Sequence, residues 1–310
     1  MIAVEIAGDR LLSLFAMSQE LAPFGIDVHT RWQQHCAYLD AAPVTTSTPL
    51  KLSPAHADLA ALARRPVIFL TLHFDAAFAE GIAMIAEQLR RLGRTQPQTA
   101  IVGGRSTDAA YDGYRQQSQP GSGGLPDLDY VGIADPGFTG RVMGTLRKRG
   151  VLFALVDANQ GSSEVIDVPF LYHRLNLRSG LFRLAHASRA IVQPFMVDST
   201  RGAIFFGPAL DARELPIRRT AEETGRFLGQ HVLLDPIRWL HWQHCIALST
   251  QNYTHRSATS GRHGRVPDWY LAHPAHGHGR LAFNTATSRL YQLDAATYEQ
   301  MRAGDPGPGR

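Results

Sequence analysis

The sequence predicts an α/β fold, with a mostly parallel central sheet flanked by helices, helices at the N-terminus and a small C-terminal appendage. Two observations predict it. Short apolar, β-branched runs at 67–72, 99–102, 130–134, 151–156 and 191–197 alternate with helix-period segments at the spacing of strand–helix–strand units. The run Val67, Ile68, Phe69, Leu70 and Leu72 also lacks polar alternation, which marks a strand covered on both faces, as parallel sheets are.

Taken in order, Leu11, Leu12, Leu14, Phe15, Met17 and Leu21 recur on one helical face, and a second helix is expected over 30–39. APVTTSTPL, 42–50, is a polar connection. Ser53 and Pro54 supply an N-cap and first-turn pair for a helix through Ala63. The central strand follows, ends at His73, and hands over to a helix over 76–89. After the strand over 99–102, a helix over 111–117 and a glycine-rich loop over 119–127 are expected. That loop lacks the arrangement of a nucleotide-binding fingerprint or a P-loop.

Strand 130–134, helix 138–149 and strand 151–156, ending at Asp157, continue the alternation. Helix 181–188 leads to strand 191–197, which pairs with 203–206 as a hairpin. Helices over 220–228 and 236–248 would close the domain. From Ser249 the apolar period is lost, and then RLAFNTATSRLYQL forms a hairpin turning near 285–288, before a helix over 294–301. The division expected is a helical segment 1–50 packed on the core, an α/β domain 51–248, and an irregular linker with appendage 249–310.

The chain has 310 residues and is 44% hydrophobic, an ordinary globular composition able to bury a sizeable core. Its 31 Lys+Arg against 27 Asp+Glu leave a net charge of +4, and only Lys51 and Lys148 are lysines. The basic residues form no stripe interleaved with aromatics, so nucleic acid is not an expected partner. Cys36 and Cys245 are too few for a disulfide framework or thiolate metal site, and a cytoplasmic location is expected. His273, His276 and His278 in HPAHGHG have no accompanying Cys or carboxylate set. Neither a metal nor a cofactor is expected.

His73 is the residue these elements point to. An imidazole at the C-terminal end of a buried strand, before a helix start, stands where open α/β sheets place their chemistry and suits a general base at neutral pH.

The chain from about Pro66 to Cys245 resembles the lysophospholipid acyltransferase superfamily, and within it the bacterial lipid A-type late acyltransferases. The residues that carry the resemblance are Asp157 at a strand end, Val168-Pro169-Phe170, Ser179-Gly180, Phe182-Arg183-Leu184-Ala185, Val192-Gln193-Pro194-Phe195, and DPIRWLHWQH from Asp235 to His244. The resemblance implies an acyltransferase-like fold and direct acyl transfer. His73 would deprotonate a hydroxyl or amine acceptor, which attacks the thioester of an acyl carrier protein or coenzyme A.

The family's motif is a histidine followed five residues later by Asp or Glu, and here Phe78 stands at that position. Three accounts compete. Asp75 or Glu80 supplies the carboxylate from a reshaped turn, Asp75 being favoured because it also caps the helix; Asp157 reaches across from the neighbouring strand; or the histidine works alone or acyl transfer has been lost. Arg178 and Arg183, flanking Ser179-Gly180, and Arg105 are candidates for holding an anionic group of donor or acceptor. Phe74, Phe78, Phe153 and Phe170 are candidates to line an acyl pocket, or are plain core.

The lipid A enzymes carry an N-terminal membrane anchor, whereas MIAVEIAGDRLLSLFAMSQEL is short and interrupted by Asp9, Arg10 and Glu20. At most peripheral membrane contact through an amphipathic first helix is expected. A small-molecule or carrier-bound soluble acceptor, as in secondary metabolism, therefore fits better. The alternatives are an acyl-thioester or amide hydrolase using the same histidine, and a non-catalytic partner that binds an acyl carrier protein or lipid.

Overall fold

A computed structural model describes residues 3–41, 50–52, 59–62, 64–75, 77–105, 107, 128–158, 163–245, 269–272 and 280–303. The expected helix over 111–117, the glycine-rich loop and His273, His276 and His278 lie outside them. The chain divides into two compact units, Met1–Ala42 with Leu171–Leu175 and Leu233–Arg310, and Pro43–Phe170 with Asn176–Val232. The N-terminal helices and the C-terminal module thus share a unit, where the sequence had suggested two separate segments.

The larger unit is α/β. Its main sheet has the order β2-β10-β9-β3-β6-β4-β5, with β11 (Leu210–Asp211) also on β9. The strands are β2 (Lys51–Leu52), β3 (Val67–Thr71), β4 (Gln98–Val102), β5 (Asp129–Gly132), β6 (Val151–Leu155), β9 (Ile191–Asp198) and β10 (Ala203–Phe206). β9, β3, β6, β4 and β5 run parallel, and the β9–β10 hairpin supplies an antiparallel pairing. Between the strands run α3 (Leu59–Leu62), α4 (Phe78–Arg91), α5 (Phe138–Arg147) and α6 (Gly180–Ser188), and α7 (Ile217–Leu234) follows β11.

All five residues of β3 are buried, as its unbroken apolar run requires. Phe69 of β3 stacks on Phe153 of β6, ring centroids 5.2 Å apart, and meets Phe195 and Phe206 edge-on. These four rings form the middle of the core with Val67, Ile85, Leu89, Val151 and Ile204. At the opposite end of the sheet from His73, buried Arg94 donates to the carbonyls of Leu62 (2.9 Å), Arg65 (2.6 Å), Gly150 (3.2 Å) and Arg149. It thereby ties together the chain entering β3 and the chain entering β6.

A further pair, β7 (Val165–Pro169) and β8 (Arg174–Arg178), forms a two-stranded ribbon that the sequence reading missed. Pro169 at the strand's end and a half-exposed pattern conceal β7 from a search for apolar runs. α7 lies close against this element because Gly225 and Gly229 have no side chain. A Cβ on Gly229 would sit 2.0 Å from the Phe170 carbonyl oxygen, and one on Gly225 2.7 Å from that of Pro169.

The smaller unit contains α1 (Gly8–Leu21), α2 (Val28–Asp40) and a sheet of order β1-β12-β13-β14, with α8 (Ala295–Arg302). β1 (Ala3–Ile6) pairs parallel with β12 (Trp269–Ala272), and β13 (Leu281–Asn284) with β14 (Arg289–Gln292) is the expected hairpin. The described part of the expected closing helix over 236–248, residues 236–245, instead holds two 3-10 turns, Pro236–Arg238 and Trp242–His244, and 246–248 lie outside the described residues. A tertiary bond and a side-chain bond within the segment are made there. His35 Nδ1 lies 2.7 Å from the Ile237 carbonyl oxygen, and Trp242 Nε1 donates to the Pro236 carbonyl at 2.7 Å, with Trp239 and Trp242 both buried. Among the described residues no helix is long and apolar enough to cross a membrane.

Candidate active site

The register of β3 and β6 sets the site. Val67 pairs with Val151 and Thr71 with Leu155, a constant offset of 84 residues. His73 and Asp157 are separated by the same 84 residues, each two positions past its strand's end. Adjacent strands lie about 4.8 Å apart, so two side chains at matching positions beyond the sheet edge come within hydrogen-bonding reach. The C-terminal edge of a parallel sheet therefore brings a histidine and an aspartate together without any local motif.

His73 Nδ1 is 2.8 Å from Asp157 Oδ1, and the His73 backbone N–H donates to Oδ2 at 3.0 Å and Oδ1 at 3.2 Å. The carboxylate is fully buried, while the imidazole side chain is 24% exposed. Asp157 thus anchors both the ring and the backbone of one residue from beneath. A carboxylate on Nδ1 holds the proton on that nitrogen in the neutral ring and presents Nε2 as the basic atom. Phe78, the first residue of α4, meets the ring edge-on at 5.5 Å between centroids. At the position where the resembled family has its acid, this chain has an apolar wall beside the imidazole.

Asp75, the carboxylate favoured from sequence as the partner of His73, has a different task. Its Oδ1 accepts from Ala77 N–H at 3.0 Å and its Oδ2 from Ser199 N–H at 2.8 Å, with its backbone in the left-handed region at φ 64°. The turn between β3 and α4 is tight, so a carboxylate two residues past His73 closes the turn itself and reaches the β9–β10 connection. Glu80 is exposed on α4. Of the three accounts drawn from sequence, the bonding pattern matches the acid from the neighbouring strand.

The other candidate residues are placed as follows. Phe74 is buried, Phe78 is half-buried against the main core cluster, and Phe153 and Phe170 are buried, Phe153 within that cluster. Arg178 Nη1 donates to the Ser163 carbonyl at 2.9 Å, and Arg183 pairs with Glu164, both of those side chains being more than half exposed. Ser163 Oγ accepts from Gly180 N–H at 3.2 Å, and the Glu164 carbonyl from Ser179 N–H at 2.7 Å. The segment Ser163–Glu164 is thereby fastened across the start of α6, a clamp the sequence did not signal. Arg105 is exposed beyond the end of β4. No model of a known protein family matches this chain, and no curated protein matches it.

Proposed function

We propose that this protein is an acyltransferase that moves an acyl group from a carrier-protein or coenzyme A thioester to a hydroxyl or amine of a soluble acceptor. The observation that carries the reading is the His73–Asp157 pair, at 2.8 Å, on the C-terminal edge of a parallel sheet. A buried aspartate behind a partly exposed imidazole is the base-and-orienter half of a catalytic constellation. It supports an enzyme over a silent binding protein, in which no carboxylate need face the histidine. The acyltransferase-like character of the fold belongs to the same proposal.

In the mechanism, His73 Nε2 takes the proton of the acceptor O–H or N–H as the heteroatom attacks the thioester carbonyl. The tetrahedral intermediate collapses with cleavage of the C–S bond, and the leaving thiolate takes back the proton from the imidazolium. Asp157 stabilises that imidazolium through Nδ1. No covalent acyl-enzyme forms. Arg105, Arg178 and Arg183 are the proposed anchors for anionic groups of donor or acceptor.

The test is mass spectrometry of the full chain incubated with acyl-thioesters of varied length and a panel of amine and hydroxyl acceptors, beside His73→Ala. Acylated acceptor that disappears in the variant is the expected result. Free fatty acid released equally with and without acceptor would instead mark a hydrolase. Turnover unchanged in His73→Ala would overturn the mechanism.

A further inference from the structure

We infer that Asp75 is a positioning residue for His73, acting through the backbone and not through the imidazole. Three features place it there. It lies two residues after His73, it is only 1% exposed, and it adopts φ 64°, a conformation natural to glycine and reached among L-residues chiefly by Asn and Asp. A buried aspartate holds that region through the hydrogen bonds its short carboxylate makes nearby.

Its bonds run in two directions. Asp75 Oδ1 accepts from Ala77 N–H (3.0 Å), closing the turn, and the Asp75 carbonyl accepts from Phe78 N–H (3.3 Å) as α4 begins. Asp75 Oδ2 accepts from Ser199 N–H (2.8 Å), immediately past the end of β9. β9 flanks β3 on the side opposite β6. The segment carrying His73 is therefore pinned by one buried carboxylate from the β6 side, Asp157, and by another to the β9 side, Asp75. α4 follows this anchoring closely, since a Cβ on Gly81 would sit 2.3 Å from Val197 Cγ2 of β9. With both carboxylates engaged, the His73 ring is held over Asp157 while Phe78 fills its flank.

Only the kinetic consequence rests on the acyl-transfer reading; the positional one does not. The experiment uses the full-length chain with ¹⁵N-labelled histidine, as wild type, Asp75→Asn and Asp75→Gly, with imidazole ¹⁵N shifts recorded at pH 8 to report which nitrogen carries the proton. Wild type is expected to hold the proton on Nδ1. Asp75→Gly tolerates the left-handed backbone but loses both side-chain acceptors, so His73 should populate both tautomers. Asp75→Asn keeps the conformation and one acceptor oxygen but sets its NH₂ against the other backbone N–H, and should fall between wild type and the glycine variant. In turnover with an acyl-thioester, Asp75→Gly should lower kcat about 10- to 100-fold at little-changed KM, the scale of a reacting group displaced by about 1 Å. Wild-type ¹⁵N shifts in both variants would overturn the proposal. Should the glycine variant fail to fold, the asparagine variant decides, a two- to tenfold loss of kcat with partial tautomer mixing being expected and none refuting. Absence of turnover in wild type would defeat the acyl-transfer reading while leaving the tautomer result to judge Asp75.

Discussion

Replacing Asp157 by asparagine keeps the shape of the site and changes only which atoms donate. In the native pair, Oδ1 accepts from His73 Nδ1 at 2.8 Å and Oδ2 from the His73 backbone N–H at 3.0 Å. An asparagine has one oxygen. With that oxygen toward Nδ1, its amide NH₂ would stand donor-to-donor against the backbone N–H. With the oxygen toward the backbone, the NH₂ faces Nδ1 and bonds to it only if the ring proton moves to Nε2. The second arrangement keeps both the His73 backbone N–H and Nδ1 bonded and should prevail. Two charge-assisted bonds become neutral ones, a loss of about 1–2 kcal/mol of stability. The base, however, is disabled, because Nε2 now carries a proton. In serine-protease triads the equivalent exchange lowers kcat by about 10⁴, and a loss of about 10³ to 10⁴ is expected here. The assay is thiol release from an acyl-thioester in the presence of acceptor, with urea midpoints and imidazole ¹⁵N shifts on the same samples. Activity within threefold of wild type, or a ring that keeps its proton on Nδ1, would refute the reasoning.

Other expectations concern what holds the site. Gly229→Ala drives a methyl group to within 2.0 Å of the Phe170 carbonyl oxygen, which no rotamer change relieves, and should cost about 3 kcal/mol or more in urea unfolding; a midpoint equal to wild type would mean α7 does not pack as described. Arg94→Met leaves four backbone carbonyls at the start of β3 and β6 without their cation, for about 2–4 kcal/mol in the same measurement. Burial pushes the Arg94 guanidinium down to about 10, so it remains charged at neutral pH and the loss should be flat between pH 6 and 8. Burial also lowers the pKa of His29, His35 and His231. The unfolded chain then binds protons near pH 6.5 that the folded chain refuses, so stability is present above that pH and falls as pH drops through it. Urea midpoints at pH 8, 7 and 6 should decline in that order, and a midpoint that rises toward pH 6 would contradict the assignment. Asp211 acts in the same direction but in a lower pH window. Hydrogen bonds from Arg65 and then Arg213 hold its carboxyl far below the ordinary carboxylate range, so its stabilisation is complete above about pH 4 and fades only in stronger acid. Asp211→Asn should accordingly lower the midpoint at pH 7 and lower it by a smaller but still measurable amount at pH 3, checked by paired urea titrations.

The parallel strands were legible because burial on both faces leaves a plain mark in sequence: β3, β6 and β9 are almost wholly apolar. β1 and β12 were not, since four-residue strands that pair across most of the chain's length carry no local period. The helix expected over 236–248 failed for a related reason. Trp239 and Trp242 are both buried and pack edge-on against each other, so their apolar spacing records packing and not helical geometry. His73 could be found from its position at a strand end, but its partner could not be found by looking five residues ahead, because Phe78 is there.

The signal that existed was an equality of lengths. Val67 to His73 and Val151 to Asp157 each span six steps, and two parallel strands that begin in register end in register, so polar residues at the same step past each start must meet. A motif confined to one helical turn fixes its acid by local geometry, whereas a dyad built across two strands fixes it by register. Register then makes a specific demand: a one-residue insertion or deletion in either β3 or β6 would turn the strand's side chains to the opposite face and separate His73 from Asp157. The tie that Arg94 makes between the two strand entrances holds the same register from the other end of the sheet. The position of the candidate base is thus determined from both ends of β3, by a buried cation where the strand begins and by two buried carboxylates where it stops.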